Sequence, residues 1–264
     1  MNNKEVDKLL KQANKERLFG DPAKSIAILH QLVNAFPKEI KYLELLASSY
    51  YELREYELAL EYCNKIQELD LQNKEQLELR GMIANEKGDK ELAIDYYKQA
   101  LALDSHFNDC RMKLIEIYKE QKDYEKIESE SKFILEDQKG YLEKYEVKKR
   151  NLLDWYYLVN NYLWTALVAQ KKYEEAVNAI LIYKEYLQPA TQDIYAFSEE
   201  DDKLYKLYHL LKDKEKIEAY KTRWLEFYKV PPGRVTGMEK DADQGYILEM
   251  NPENYGFDQY GYIQ

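Results

Sequence analysis

Glycine and proline are scarce in this sequence. Its 264 residues include nine glycines and six prolines, and only four of those glycines and three of those prolines precede residue 230. Because tight turns depend on these two residue types, a fold built from many short strands is disfavoured. The abundance of Leu, Glu, Lys and Gln before residue 230 instead predicts helix almost throughout that part of the chain.

Long apolar runs, excess positive charge and a set of cysteines are also missing. The longest near-apolar stretch, Leu163 to Ala169, is far shorter than the roughly 20 residues of a membrane-spanning helix, so we expect no membrane segment. A net charge of -10 disfavours binding to nucleic acid. Cys63 and Cys110 are too few for a disulfide framework. The N-terminal residues lack the apolar core of a secretory signal. Unless a signal has been removed, these features predict a cytoplasmic protein.

Motifs that carry catalysis or bind cofactors are absent from the sequence. It contains no Gly-rich phosphate loop, no His-Glu-x-x-His, no G-x-S-x-G and no Cys-x-x-Cys, which are the short patterns with a known chemical mechanism. With 49 acidic residues, closeness of two carboxylates alone cannot nominate a catalytic acid and base. We therefore expect neither catalysis nor a cofactor.

A repeat of 34 residues runs through the first half of the chain. The small residue Ala59, in Tyr56-Glu57-Leu58-Ala59-Leu60, is followed 34 residues later by Ala93 in a similar segment. A further 34 residues lead to Ile127, and 34 residues backward lead to Ser25. Four repeats therefore keep one register without a gap, and such a period must be recognised before single elements are assigned.

Each repeat has the pattern of two amphipathic helices. Apolar residues at positions 43, 46, 47 and 50 follow the i, i+3, i+4, i+7 spacing of one helical face, and positions 59, 60, 63, 66 and 69 repeat it. A polar break lies between the helices, and in the first repeat it is Asp21-Pro22, an N-cap acid followed by a proline. The small residues Ala47 and Gly81 allow two helices to cross closely. Each repeat therefore predicts a helical hairpin.

These residues resemble the tetratricopeptide repeat family, whose signature has the same period. The signature positions are occupied in the second repeat by Leu43, Leu46, Ala47, Tyr50, Ala59 and Cys63, and in the third by Leu77, Arg80, Gly81, Ala84, Ala93 and Tyr97. The resemblance implies an all-α fold, a right-handed α-solenoid of about six helical hairpins. His30, His106 and His209 lie in different repeats, which do not meet in a solenoid, so we expect no shared metal site.

The chain is predicted to have three parts. Residues 1–141 hold the four repeats in register. Residues 142–229 hold two divergent hairpins, because the fifth repeat, centred on Lys172 to Val177, arrives 49 residues after Ile127 rather than 34. Gly140 is predicted to end a helix, and the 15 inserted residues are predicted to lengthen the first helix of the fifth repeat.

The third part, residues 230–264, is predicted to be an irregular acidic and aromatic tail. We favour a tail that caps the last hairpin, since an acidic tail is repelled from an acidic groove. Alternatively, the tail occupies the groove or is a recognition motif for a partner.

The family resemblance also indicates which residues line the concave wall, made mainly by the first helix of each hairpin. Eight of the fifteen wall positions in repeats two to four are acids and two are bases. The predicted partner-binding residues are Glu44, Tyr51, Glu75, Glu78, Met82, Asp109, Met112 and Glu116. The acids predict attraction of a basic segment, with Tyr51, Met82 and Met112 as apolar contacts. The alternative is an ordinary acidic surface on an acidic protein.

Together these patterns predict a non-catalytic scaffold or adaptor that binds an extended or helical, basic segment of a partner protein in its groove. Chaperone C-terminal tails are disfavoured partners, because the positions of the family's carboxylate clamp are largely occupied by Leu10, Leu45, Glu75 and Leu79. The rival prediction is an accessory or regulatory subunit that contacts its partner through the fifth and sixth hairpins, with Trp155, Tyr156 and Trp164 as anchors.

Overall fold

The computed structural model describes residues 1–145, 150–187 and 199–228, and every regular element in these ranges is an α-helix. The helices are α1 (Asn3–Phe19), α2 (Pro22–Ala35), α3 (Ile40–Glu52), α4 (Tyr56–Leu69), α5 (Lys74–Glu86), α6 (Lys90–Leu103), α7 (Asn108–Gln121), α8 (Tyr124–Tyr145), α9 (Arg150–Ala169), α10 (Tyr173–Leu187), α11 (Glu199–Leu211) and α12 (Lys214–Tyr228). The predicted all-α fold of helical hairpins is confirmed. The predicted tail, residues 230–264, lies outside the described residues.

The chain divides into two compact units. The first, Met1–Ile117, holds α1 to α6 and the first part of α7, and the second, Tyr118–Gln264, holds the remaining helices. In the first unit, α1 packs on α2, α3 on α4 and α5 on α6, so consecutive helices form hairpins. In the second unit, α9 packs on both α8 and α10, and α11 packs on α12.

The helices begin where the sequence offers side-chain caps. The Asp21 carboxylate accepts a hydrogen bond from the Ala23 amide (2.9 Å), ahead of Pro22 at the first helical position. The Asp89 carboxylate caps α6 through the Leu92 amide (3.1 Å), and that of Asp213 caps α12 through the Lys216 amide (3.0 Å). Each such bond satisfies an amide that has no partner within the helix.

Five hairpins of the described chain share one turn geometry between their first and second helices. The left-handed residue is Arg54, Gly88, Lys122, Lys171 or Lys212, with φ between 55° and 84°. In each case the next amide donates to the carbonyl five residues earlier, at 2.9 to 3.0 Å, as in the hydrogen-bonded end of a helix with a left-handed C-cap. The last two hairpins therefore keep the turn of the regular repeats although their sequences diverge.

Small residues lie where the helices approach one another. Ala47, Ala59 and Ala93 are fully buried. A β-carbon on Gly81 would lie 2.5 Å from Cε1 of Tyr97, itself 1% exposed. The aromatic ring of α6 thus occupies the space that a side chain on α5 would need, and this is the packing reason for a small residue in the first helix.

The extra length in the second unit is shared by two helices. α8 has 22 residues and α9 has 20, whereas the second helices of the first three hairpins have 14. The predicted helix end at Gly140 is wrong, because α8 continues through it to Tyr145. A single glycine inside a helix costs only about 1 kcal/mol relative to alanine, which the flanking helical sequence can offset.

A buried ion cluster joins α8 to the turn between α9 and α10. The Glu128 carboxylate, 8% exposed, accepts hydrogen bonds from Lys132 (2.6 Å), Lys172 (2.8 Å) and Gln170 (2.8 Å). Burial alone would raise the pKa of Glu128, but these hydrogen bonds outweigh it and lower the pKa to about 2. Glu128 is therefore an ionised, structural residue of the second compact unit.

Candidate functional site

A groove of about 390 Å³ lies in the first compact unit. Most of its lining comes from the first helices of the hairpins, and most of the α3 and α5 lining residues lie three, four, seven or eight positions after the first of each set, so that each set shares one helical face. The lining residues are Arg17, Glu44, Ser48, Tyr51, Glu52, Ile66, Glu75, Gln76, Glu78, Leu79 and Met82. We call it the unit 1 groove.

Five of the eight predicted site residues line the unit 1 groove, namely Glu44, Tyr51, Glu75, Glu78 and Met82. The other three lie on α7 and are not part of its lining. Asp109 and Glu116 are exposed, but Met112 is only 7% exposed. Met112 is therefore mainly a core residue, and its burial disfavours the predicted role as an apolar contact for a partner.

The charges of the groove are four carboxylates and one guanidinium. Arg17 Nη1 lies 2.6 Å from Glu52 Oε1, and Asn73 Nδ2 donates to Glu44 Oε1 at 2.8 Å. Glu75 and Glu78, one turn apart on α5, form no ion pair with any described residue. The one cation among the lining residues is thus engaged with Glu52, and the two neighbouring carboxylates on α5 are compensated only in part, by Lys74 and Lys113 acting from a distance.

Glu78 is the most perturbed acid of the groove. Burial raises the pKa of Glu78 to about 7, with further contributions from the Asp109 and Glu75 carboxylates, while Lys113 and Lys74 lower it only in part. Desolvation and like charges both favour the neutral carboxylic acid. Near neutral pH this side chain is therefore divided between its protonated and ionised forms.

Apolar side chains form the other part of the lining. Leu79 is 8% exposed and Ile66 is 1% exposed, so both belong mainly to the core beneath the groove. Tyr51 and Met82 are half-buried, and the Tyr51 ring lies 6.0 Å from that of Tyr56. A ligand in this groove would contact carboxylates together with an aromatic and a thioether side chain. The aromatic ring offers a large apolar area, and the flexible thioether can adapt to apolar groups of different shapes.

Comparison with known proteins identifies the repeats. Residues 10–74, which include α2, α3 and α4, match the model of the tetratricopeptide repeat family. Residues 10–74 therefore contain tetratricopeptide repeat sequence. No curated protein sequence matches the chain.

Solved structures with the same fold are similar along most of this chain. The crystal structure of MamA protein has 19% identity and a TM-score of 0.51, covering 70% of this chain and 94% of that one. PilF of Pseudomonas aeruginosa has 14% identity and a TM-score of 0.52, covering 85% and 92%. PilW, a widely conserved type IV pilus biogenesis factor, has 13% identity and a TM-score of 0.50, covering 90% and 100%. At these identities the likeness shows the tetratricopeptide repeat fold alone.

Six of the lining residues were not among the predicted site residues, and two of these, Arg17 and Gln76, affect the charge and polarity of the groove. Arg17 is 34 residues before Tyr51, so the tetratricopeptide repeat period, extended to the first hairpin, would have found it. Gln76 occupies the repeat position of Tyr42, which is buried, and nothing in the sequence marks it. Its side chain is 1% exposed, its Oε1 accepts from Arg80 Nε (2.6 Å), and its Nε2 has no partner among the described residues.

The second compact unit contains a separate groove of about 680 Å³ between α8, α9 and α10. Its apolar lining includes Phe133, Leu163, Leu167 and Ile182. Of the anchors proposed for the rival prediction, Trp164 is 2% exposed and belongs to the core, so its prediction as a surface anchor is corrected. The side chains of Trp155 and Tyr156 lie outside the described residues.

The described residues do not support a metal site, a nucleophilic cysteine or a membrane-spanning helix. The ranges with described side chains hold no group of three or more His, Cys, Asp or Glu side chains that could bind a metal ion. Cys63 and Cys110 are buried and unpaired, and burial raises the pKa of both thiols, that of Cys63 to about 11. They are therefore protonated core residues rather than nucleophiles. No described helix has the length and hydropathy to cross a membrane.

Proposed function

We propose that this protein is a non-catalytic scaffold or adaptor that binds a basic segment of a partner polypeptide, extended or helical, in the unit 1 groove. The observation that carries the proposal is the charge of the lining, in which four carboxylates face one arginine that is already paired with Glu52. Complementary charge accelerates encounter and selects partners of the opposite sign. Tetratricopeptide repeats present their first helices on such a surface, which supports the same assignment.

The predicted residues of α7 extend the proposed surface. Asp109 and Glu116 are exposed acids, and Asp109 lies close enough to Glu78 to raise the pKa of its carboxyl group. We include these two residues with Glu44, Tyr51, Glu75, Glu78 and Met82 as the proposed contact set. A cytoplasmic location and the absence of nucleic-acid binding are part of the proposal, because the cysteines are unpaired and the net charge is -10.

Charge reversal tests the proposal directly. Glu75→Lys combined with Glu78→Lys should weaken binding of a fluorescently labelled peptide of alternating lysine and alanine by about tenfold or more, as measured by anisotropy. The matched control is Glu68→Lys with Glu91→Lys, two exposed acids on the second helices α4 and α6, which changes the net charge equally. Equal losses in both double variants would show that the peptide responds to overall charge and not to the groove.

The second candidate function is an accessory or regulatory subunit that contacts its partner through the divergent fifth and sixth hairpins. The larger groove between α8, α9 and α10 favours it, because apolar concave surfaces bind partner side chains. Ala179→Arg would place a long charged side chain in that groove. Loss of binding in this variant, with binding retained in the Glu75→Lys and Glu78→Lys double variant, would favour the second candidate.

A further inference from the structure

Three carboxylates of the first compact unit act on one another, and the nearby Lys74 and Lys113 compensate their charge only in part. Glu75 and Glu78 share one face of α5, and Asp109 on α7 is, after burial itself, the largest contributor to the raised pKa of Glu78. None of the three forms an ion pair with a described residue. A positive charge placed among them would remove an electrostatic cost that the free protein carries.

A buried amide adjoins the same place. Gln76 lies in the groove lining between Glu75 and Glu78 in sequence, is 1% exposed, and its Nε2 has no hydrogen-bond partner among the described residues. An unsatisfied buried donor is costly, and native structures provide a partner for most such groups. A main-chain carbonyl of a bound polypeptide is an acceptor of the required kind, which neither a metal ion nor a polyamine supplies.

We propose that one lysine or arginine side chain of the basic partner segment binds between Glu75, Glu78 and Asp109, and that its binding displaces a proton from Glu78 to solvent. This inference rests on the proposed function, and it adds where the cation binds and how pH regulates the site. The exchange is balanced: the neutral carboxylic acid and the cationic side chain become a carboxylate, the same cation and one free proton.

The surroundings of Glu78 determine the direction of the pH effect. The charged groups that act on it are Glu75 and Lys74 on α5 and Asp109 and Lys113 on α7, and α3 and α1 add Glu44, Glu52 and Arg17 to the same groove. Tyr97 on α6 and Cys110 on α7 also interact electrostatically with Glu78. Burial raises the pKa of both groups, so both stay neutral near pH 7. Glu78 is therefore the half-buried group of this site whose charge changes near neutral pH.

The sign of the linkage follows from the two states. In the free protein the pKa of Glu78 is about 7, and a bound cation favours the ionised form and lowers that pKa. The complex therefore binds fewer protons than the free protein over the range between the two pKa values. Affinity for a basic segment accordingly rises with pH, by about tenfold between about pH 5.5 and about pH 8 if binding restores an ordinary carboxyl pKa.

The test measures the affinity of the labelled lysine-alanine peptide for the full chain across this pH range at one ionic strength. The affinity of the wild type should rise with pH. Glu78→Gln should lose most of this increase in affinity, whereas Glu91→Gln on α6 should keep it. Any titration elsewhere in the chain is common to all three proteins. Calorimetry of the wild type in two buffers of different ionisation enthalpy should show release of about half a proton or more per peptide near pH 6.5, and this measurement needs no variant.

The outcomes separate the two proposals. If the wild type does not bind the peptide at any pH, the proposed function and the inference both fail. If it binds with an affinity that does not depend on pH, releases no proton, or keeps its pH dependence in Glu78→Gln, the proton exchange is overturned while the groove remains the binding site.

Discussion

The ring of Tyr97 on α6 lies directly over Gly81 on α5, so that a β-carbon at position 81 would come within 2.5 Å of Tyr97 Cε1 and 2.8 Å of Cδ1. Tyr97 is 1% exposed and is enclosed by the core. The third hairpin therefore packs without overlap only if its first helix has no side chain at this point, a requirement that comes from packing and not from backbone conformation.

Gly81→Ala is expected to destabilise the protein by about 1 to 3 kcal/mol, the usual cost of overpacking a core. The alanine would gain helix propensity, about 1 kcal/mol at an unhindered site, so a net loss identifies the contact with Tyr97 as its cause. Urea unfolding measures the change, and Glu68→Ala, at an exposed position of α4, provides a control expected within about 0.5 kcal/mol of the wild type. A stabilised Gly81→Ala protein would contradict this packing.

The left-handed turn residues give a second prediction. Arg54 and Gly88 occupy the same repeat position, with φ of 62° and 84°. An L-residue in this conformation costs about 1 to 2 kcal/mol, and glycine avoids that cost at the expense of some chain entropy. We expect Arg54→Gly to stabilise the protein by about 0.5 to 1 kcal/mol.

Gly88→Ala is the converse variant. A β-carbon there meets no atom within 4 Å, so only the backbone conformation opposes it, and we expect a loss of about 1 kcal/mol. The melting temperatures of both variants, measured by thermal unfolding, test whether the left-handed conformation controls stability at this position. Changes of the same sign in the two variants would show that the turn conformation does not control stability at this position.

The Glu128 cluster predicts a pH-dependent contribution to stability. The pKa of Glu128 is about 2 in the folded protein, below the value of an unfolded glutamate, so its contribution is complete above about pH 4.5 and is lost as the pH falls towards 2. Glu128→Gln should cost about 2 to 3 kcal/mol near pH 7. The cost should shrink progressively below about pH 4.5, and unfolding curves at several pH values measure it.

The exposed residue Glu174 on α10 supplies a control for that series, since Glu174→Gln should change stability little at any pH. A cost of Glu128→Gln that stays constant down to pH 3 would mean that the carboxylate is not held ionised by Lys132, Lys172 and Gln170.

Arg17 gives a prediction for binding. Its guanidinium is paired with Glu52 at 2.6 Å in the unit 1 groove, and it is the one positive charge among the lining residues. Arg17→Gln should strengthen binding of the lysine-alanine peptide several-fold, because it removes repulsion and releases a carboxylate. Lys24→Gln on α2 removes the same charge outside the groove and should have a smaller effect. Unchanged or weaker binding in Arg17→Gln would argue against a cation in this groove.

Much of the architecture follows from the repeat period, and the reason is physical. Positions 34 residues apart meet the same neighbours, so Ala59 and Ala93 are both fully buried, and the left-handed residues Arg54 and Gly88 lie at equal register. The lengths of α8 and α9 could not be predicted from the repeat period. A glycine such as Gly140 can end a helix, but it can also lie inside one at a small cost in free energy.

The candidate site was only partly predictable. The period locates the helix face that carries Glu75 and Glu78, and it could have located Arg17. It cannot give the degree of burial, which depends on the residues of the next helix. Three features depend on such packing: the raised pKa of Glu78, the burial of Met112 and the lack of a partner for Gln76 Nε2 among the described residues.

The most direct test of the central claim is site-specific photocrosslinking to the lysine-alanine peptide. A photoreactive amino acid replaces Met82 in the unit 1 groove in one variant, and Ile182, in the groove between α8, α9 and α10, in another. The account predicts peptide adducts from position 82 that disappear when Glu75 and Glu78 are changed to lysine. Adducts from position 182 alone, or adducts from position 82 that survive the charge reversal, would contradict it.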